Sequence, residues 1–228
     1  MRRNTTWFLE RLADPSWLCR LEADEGRTVM DSSLNPRHGP RDCNFFLRDE
    51  ENGWKVLVDY QGAGCLTRFW TAGDFDGELE FYFDGQDQPT IRTTLRQFFG
   101  GDLTPFAKPL VLDCPDSSQG RVSYFPMCFA EGCRVRSRSD TGSFYWQINA
   151  LRYVDTEVDT FTPVLAETAQ KALQRVQARW GQNHGYGASR VAGPVAEAQA
   201  AEVPARGAVE LCHLQGPGQI EELTFRAT

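Results

Sequence analysis

The sequence predicts a mainly β protein, an antiparallel sandwich or jelly roll carrying one helix near residues 163–180. Three observations predict it. Short runs of alternating apolar and polar residues recur between residues 54 and 154, punctuated by Gly, Pro and Asp. A single helical pattern follows them, and 12% of the 228 residues are aromatic, enough bulk to fill the space between two sheets. A Gln-Gly-x-Gly entry also opens two strand-like runs, at residues 61–64 and again at 215–218, the mark of a duplicated β unit.

Taken in order, residues 1–53 read as a lead-in and a loop. Trp7-Phe8-Leu9 and Trp17-Leu18 are its apolar points, expected to pack on a neighbour. Residues 31–53 are rich in Asn, Pro, Arg, Gly and Asp, and long ordered loops on a β scaffold commonly carry function. Residues 54–60 alternate, with Trp54, Val56, Val58 and Tyr60 expected on one face against Lys55, Leu57 and Asp59. Residues 78–84 alternate most strictly: Leu79, Phe81 and Phe83 face inward, and Glu78, Glu80, Tyr82 and Asp84 face out. Asp84-Gly85 supplies a turn, and 90–94, 133–138, 144–154 and 208–214 are further strands. The helix is expected to start with Thr162 as N-cap and Pro163 at its first position. Leu165, Ala169, Leu173, Val176 and Trp180 form its apolar stripe, and Gly181 ends it. The expected division is a lead-in over 1–53, a first jelly roll over 54–160, a connecting helix and linker over 161–206, and the opening strands of a second jelly roll over 207–228.

A net charge of −7 and a pI near 5.1 argue against nucleic-acid and membrane-surface partners, which require basic patches. No run approaches the roughly 18 apolar residues of a membrane span. Met1-Arg2-Arg3 carries charge, but no apolar core of a secretory leader follows it. The seven cysteines include no C-x-x-C pair, which favours buried free thiols in a reducing cytoplasm over a metal site, and no cofactor is implied.

Four segments together carry a family resemblance: G-A-G-C-L-T-R-F-W-T-A (62–72), E-L-E-F-Y-F-D-G (78–85), S-Y-F-P-M-C-F (123–129) and F-Y-W-Q-I-N (144–149). They resemble glycoside hydrolase family 172, the former domain-of-unknown-function 2961 proteins. That family's pattern is a G-P-G-x-I-x-R-x-W strand, a Y-x-D-G turn and an S-Y-x-P-x-P-F segment. The resemblance implies a double jelly-roll subunit assembled as trimers or hexamers, acting on fructofuranosyl or arabinofuranosyl linkages. It also implies paired catalytic glutamates in the second jelly roll, one within a G-T-G-x-E-D-type segment that this chain lacks. The chain is therefore expected to be the N-terminal portion of such an enzyme, its catalytic carboxylates beyond the C-terminus. Alternatives are a non-catalytic carbohydrate-binding module and an assembly scaffold. Two departures stand out: Ala63 and Cys128 each replace a proline of the pattern.

Candidate substrate-binding residues are Asp42 and Asn44 in the long loop, with Arg41 beside them, and Arg68 and Trp70 on the 62–72 strand. Trp70 reads as a sugar-stacking ring with Arg68 on its face, opposite Cys65, Thr67 and Phe69; a core tryptophan is the plainer reading. Asp74, Asp76 and Glu78 form the densest acidic cluster. It reads either as a carboxylate pair or Ca²⁺ loop, or, more plainly, as a solvated turn. His184 has no nucleophile beside it in sequence, and Glu221-Glu222 would point to opposite faces of a strand.

Overall fold

Two antiparallel sheets face each other in the computed structural model. It describes residues 2–181 apart from 15, 18–25, 35–41, 75, 118 and 140–141, together with 202–210, 213 and 215–216. In chain order the elements are α1 (Thr5–Ala13), β1 (Arg27–Ser32), β2 (Arg48–Asp49), β3 (Lys55–Gln61), β4 (Gly64–Ala72), β5 (Glu78–Phe83), β6 (Ile91–Thr94), α2 (Leu95–Gly100), β7 (Asp102–Leu103), β8 (Phe106–Ala107), β9 (Val111–Leu112), β10 (Arg121–Ser123), β11 (Met127–Phe129), β12 (Gly132–Arg138), β13 (Tyr145–Arg152) and α3 (Glu167–Trp180). One sheet runs β1-β13-β4-β10-β9, with β11 also on β4, and the other runs β2-β3-β12-β5-β6. With β1, β3, β4, β5, β6, β10, β12 and β13 counted as one to eight, the sheets read 1-8-3-6 and 2-7-4-5. That is the strand order of a jelly roll. The sandwich therefore begins at β1, inside the stretch expected to be lead-in and loop.

The core lies between the sheets. Leu79, Phe81 and Phe83 are fully buried there, as the alternation predicts. Phe81 stacks on Phe98 with ring centroids 5.2 Å apart and meets Phe69 edge-on at 6.4 Å. Phe98 belongs to α2, which the sequence reading missed although a Thr94-x-x-Gln97 capping box announces it. Asp84 and Gly85 both adopt positive φ, and the Gln86 N–H closes the turn on the Phe83 carbonyl.

Two bulges correct the expected faces. Opposite Val135 and Arg136 the register of β3 slips past Leu57. Leu57, Val58 and Tyr60 all join the inter-sheet cluster, while Trp54 and Val56, though buried, do not belong to it. A second slip, opposite Asn149 and Ala150, passes Thr67 on β4. Leu66 and Phe69 face the core, whereas Cys65 leaves it for a second cluster with Phe8, Cys128, Tyr153 and Val158. Cys65 thus does not share a face with Phe69.

The first residues form α1, capped by the Asn4 side chain accepting from the Trp7 N–H. It packs against α3, whose Ala169, Ala172, Leu173 and Val176 reach into the core. The expected start of α3 is wrong by several residues. The helix begins at Glu167 with Ala166 as N-cap, and Pro163 and Thr162 precede it as irregular chain. Residues 208–210, expected as strand, are exposed and irregular; 211–212 and 214 lie outside the described residues, as do 217–228, expected to open a second jelly roll and including Glu221-Glu222, and His184. Among the described residues no helix is long and apolar enough to cross a membrane.

Candidate functional site

The outer face of the first sheet is built by pairing. Across β1, β13 and β4 the partners Met30–Asn149–Arg68 form one row and Ser32–Gln147–Trp70 the next. Trp70 in turn pairs with Val122 on β10. Phe69 and Ile148 on the same strands are buried in the core, so by alternation these rows face outward. Arg68 Nη1 donates to Gln147 Oε1 at 2.9 Å and to Asn149 Oδ1 at 3.2 Å, which anchors the guanidinium through one nitrogen to the neighbouring strand. Trp70 is half-buried beside it. Gly120 lies against the edge of the indole, where an added Cβ would stand 2.6 Å from Nε1. Met30 and Tyr145 expose 54% and 37% of their surface on this face. Trp70 is thus not a core tryptophan.

Asp42 and Asn44 play a different part. Asp42 Oδ1 accepts from Ser33 Oγ at 2.6 Å, and the same hydroxyl oxygen accepts the Trp146 N–H at 3.0 Å. Asn44, at φ 53°, accepts the Phe144 N–H through Oδ1 at 2.8 Å and gives its own N–H to the Phe144 carbonyl at 3.0 Å. Both residues pin their loop to the start of β13, whose next residues carry the Arg68 and Trp70 partners. Both side chains remain exposed. Arg41 lies outside the described residues.

The acidic cluster is dispersed in the same manner. Asp74 accepts from the Ser143 N–H, Asp76 pairs with Arg96 at 3.1 Å, and Glu78 pairs with Arg138 and, at 3.5 Å, with Arg92. The Arg138 hydrogen bond, reinforced by its charge, holds the Glu78 carboxyl below the usual range. Among the described residues no group of three or more His, Cys, Asp or Glu is placed to hold a metal ion.

The sequence reading missed a charged lattice on the outer face of the second sheet. Arg134, Arg136 and Arg138 alternate on β12 directly opposite Tyr82, Glu80 and Glu78 on β5. Glu80 is 2% exposed, with Tyr82 Oη at 2.6 Å and Arg136 Nε at 2.7 Å from Oε2. Arg136 also reaches Glu50 at 2.9 Å and lies 4.5 Å over the Trp54 ring. Burial alone would raise the Glu50 carboxyl, but hydrogen bonds and charge from Arg136, Arg134 and Arg48 outweigh it and lower it. The signal existed in R-V-R-S-R against E-L-E-F-Y, but only the pairing of β12 with β5 reveals it.

Residues 25–169 match the model of the GH172 first beta-sandwich domain. The chain belongs to glycoside hydrolase family GH172. The matched segment begins just before β1 and ends within α3, so it contains both sheets of the GH172 sandwich. No curated protein matches the chain. Among solved structures, the catalytic domain of a GH87 alpha-1,3-glucanase variant in complex with tetrasaccharides aligns at 10% identity and a TM-score of 0.23. That alignment covers 67% of this chain and 34% of the other, so the chain spans about a third of the length of that structure. A likeness so slight carries no argument.

Proposed function

We propose that this GH172 sandwich is the carbohydrate-facing, non-cleaving part of an enzyme acting on fructofuranosyl or arabinofuranosyl linkages. The observation that carries the reading is the Arg68 guanidinium anchored by Gln147 and Asn149 beside the half-buried Trp70. A sugar presents a C–H face, which an aromatic ring receives, and paired hydroxyls, which planar guanidinium and amide groups bind. Asp42 and Asn44 support that face through β13.

Cleavage asks for more. A glycosidase needs a proton donor with a raised pKa and a second carboxylate roughly 5–9.5 Å away. Glu78 and Glu50 are shifted the other way by arginines, and Asp74 and Asp76 are each tied to a separate partner. On this reading the cleaving pair is supplied by carboxylates other than these four. The test is hydrolysis of an aryl arabinofuranoside by the 228-residue chain, with no turnover expected. Turnover abolished by Asp76→Asn would place the chemistry in the 74–78 turn and overturn the reading.

Exposed Met30 and Tyr145 on the same face favour a second reading, an assembly surface between copies in trimers or hexamers. A sedimentation shift to a discrete oligomer, lost in Met30→Glu/Tyr145→Glu while sugar binding persists, would favour it.

A further inference from the structure

Cys65 and Cys128 are exact cross-strand partners in the β4–β11 ladder, and each is fully buried. Their sulfurs stand 3.5 Å apart, the Cys128 S–H donating to Cys65 Sγ and the Cys65 thiol to the Leu66 carbonyl at 3.3 Å. Directly opposed residues of an antiparallel pair have Cα atoms ~4.5 or ~5.5 Å apart. Both values lie within the roughly 4.4–6.8 Å that a disulfide spans, so the closed bridge fits the paired ladder once the side chains have rotated. The other described cysteines are placed differently. Cys133 is buried in the main core from the second sheet, and Cys43 and Cys114 are half-buried.

We propose that Cys65 and Cys128 are a reversible oxidation site that closes to a disulfide when a disulfide oxidant of the glutathione type is present. In the balanced step, one cysteine loses its proton to water and its thiolate attacks the oxidant. This gives a mixed disulfide and releases one glutathione thiolate. The second cysteine thiolate attacks the protein sulfur of that mixed disulfide and releases the second glutathione. The two cysteines lose two electrons, one glutathione disulfide gains them, and the two protons end on the two glutathiones. Burial pushes the Cys65 thiol well above its ordinary range, so attack is slow while the ladder is closed. It proceeds as β11, a three-residue strand, lifts from β4 or before it docks. In a reducing environment the pair stays as thiols, and oxidation staples β11 to β4 beside the outer cluster of Phe8, Tyr153 and Val158.

The experiment is to refold the full chain from urea in excess glutathione disulfide, block remaining thiols with N-ethylmaleimide, and map linked peptides by mass spectrometry. A peptide joining residues 65 and 128 is expected. A thermal midpoint about 5–15 °C above the dithiothreitol-treated protein is expected too, a difference that vanishes in Cys128→Ser. Recovery of both cysteines as blocked thiols, or either one joined to a different cysteine, overturns the proposal. The peptide map needs no variant, so a poorly folding Cys128→Ser protein leaves the test intact.

Discussion

Arg136→Met removes the centre of the lattice on the second sheet while keeping a chain of similar length over Trp54. Its guanidinium bonds Glu80 at 2.6 Å and Glu50 at 2.9 Å, with side-chain exposures of 19% for Arg136 and Glu50 and 3% for Glu80. Breaking a buried pair from one side costs about 3–5 kcal/mol, because the remaining charge is left in a poorly solvated place. Glu80 keeps the Tyr82 hydroxyl and a 3.4 Å contact to Arg92, so a somewhat smaller cost, about 2–4 kcal/mol, is expected. Urea unfolding followed by tryptophan fluorescence would show a midpoint lowered by about 1–2 M with an unchanged slope. Adding Glu80→Gln should recover at least about 1 kcal/mol, since the stranded charge is gone. A single-variant cost below about 1 kcal/mol, or no recovery in the double variant, would show the lattice to be an ordinary solvated surface and refute this account of it.

Other expectations follow from the same structure. Phe81→Ala should cost about 3–5 kcal/mol in urea unfolding, since the ring is fully buried between Phe69 and Phe98; a cost below about 1 kcal/mol would place it outside the core. Glu50 and Glu78 sit below the ordinary value of 4.5, and Asp113 below 3.8, where the Cys114 N–H and Arg121 overcome the effect of burial. Because their folded pKa values are depressed, the stability they contribute is present above the unfolded values and lost as pH falls through the folded ones. The thermal midpoint should therefore hold from pH 7 to about 5 and drop below about 4.5, and a midpoint unchanged down to pH 3 would contradict this. Gly120→Ala puts a methyl group 2.6 Å from Trp70 Nε1, so its indole resonance should move while the fold persists. An unmoved resonance would place Trp70 away from Gly120.

Strict alternation in 78–84 made the inner face of β5 readable, and the stripe from Ala169 to Val176 made the body of α3 readable. The bulges at Leu57 and Thr67 were not, because neither has a glycine or proline to mark it and register is set by the partner strand. β1 was missed because Arg27–Ser32 is an edge strand with most of its residues exposed and lacks an apolar rhythm. Arg68 and Trp70 were legible as a pair on one face of β4, but their partners Gln147 and Asn149 come from β13, about 80 residues on. Asp42 and Asn44 have the composition of a binding loop; their bonds to Ser33 and Phe144, which tie that loop to the start of β13, were not legible in it.

The central claim is that the Arg68–Trp70 face receives carbohydrate. Nitrogen-15 NMR of the full chain titrated with an arabinofuranosyl oligosaccharide tests it most directly. The account predicts dose-dependent shifts of the Trp70 indole and of the Gln147 and Asn149 side-chain amides, abolished by Trp70→Ala, with the Trp54 indole unmoved. Shifts confined to Trp54 and the arginines of the second sheet, or no shift at millimolar sugar, would contradict it.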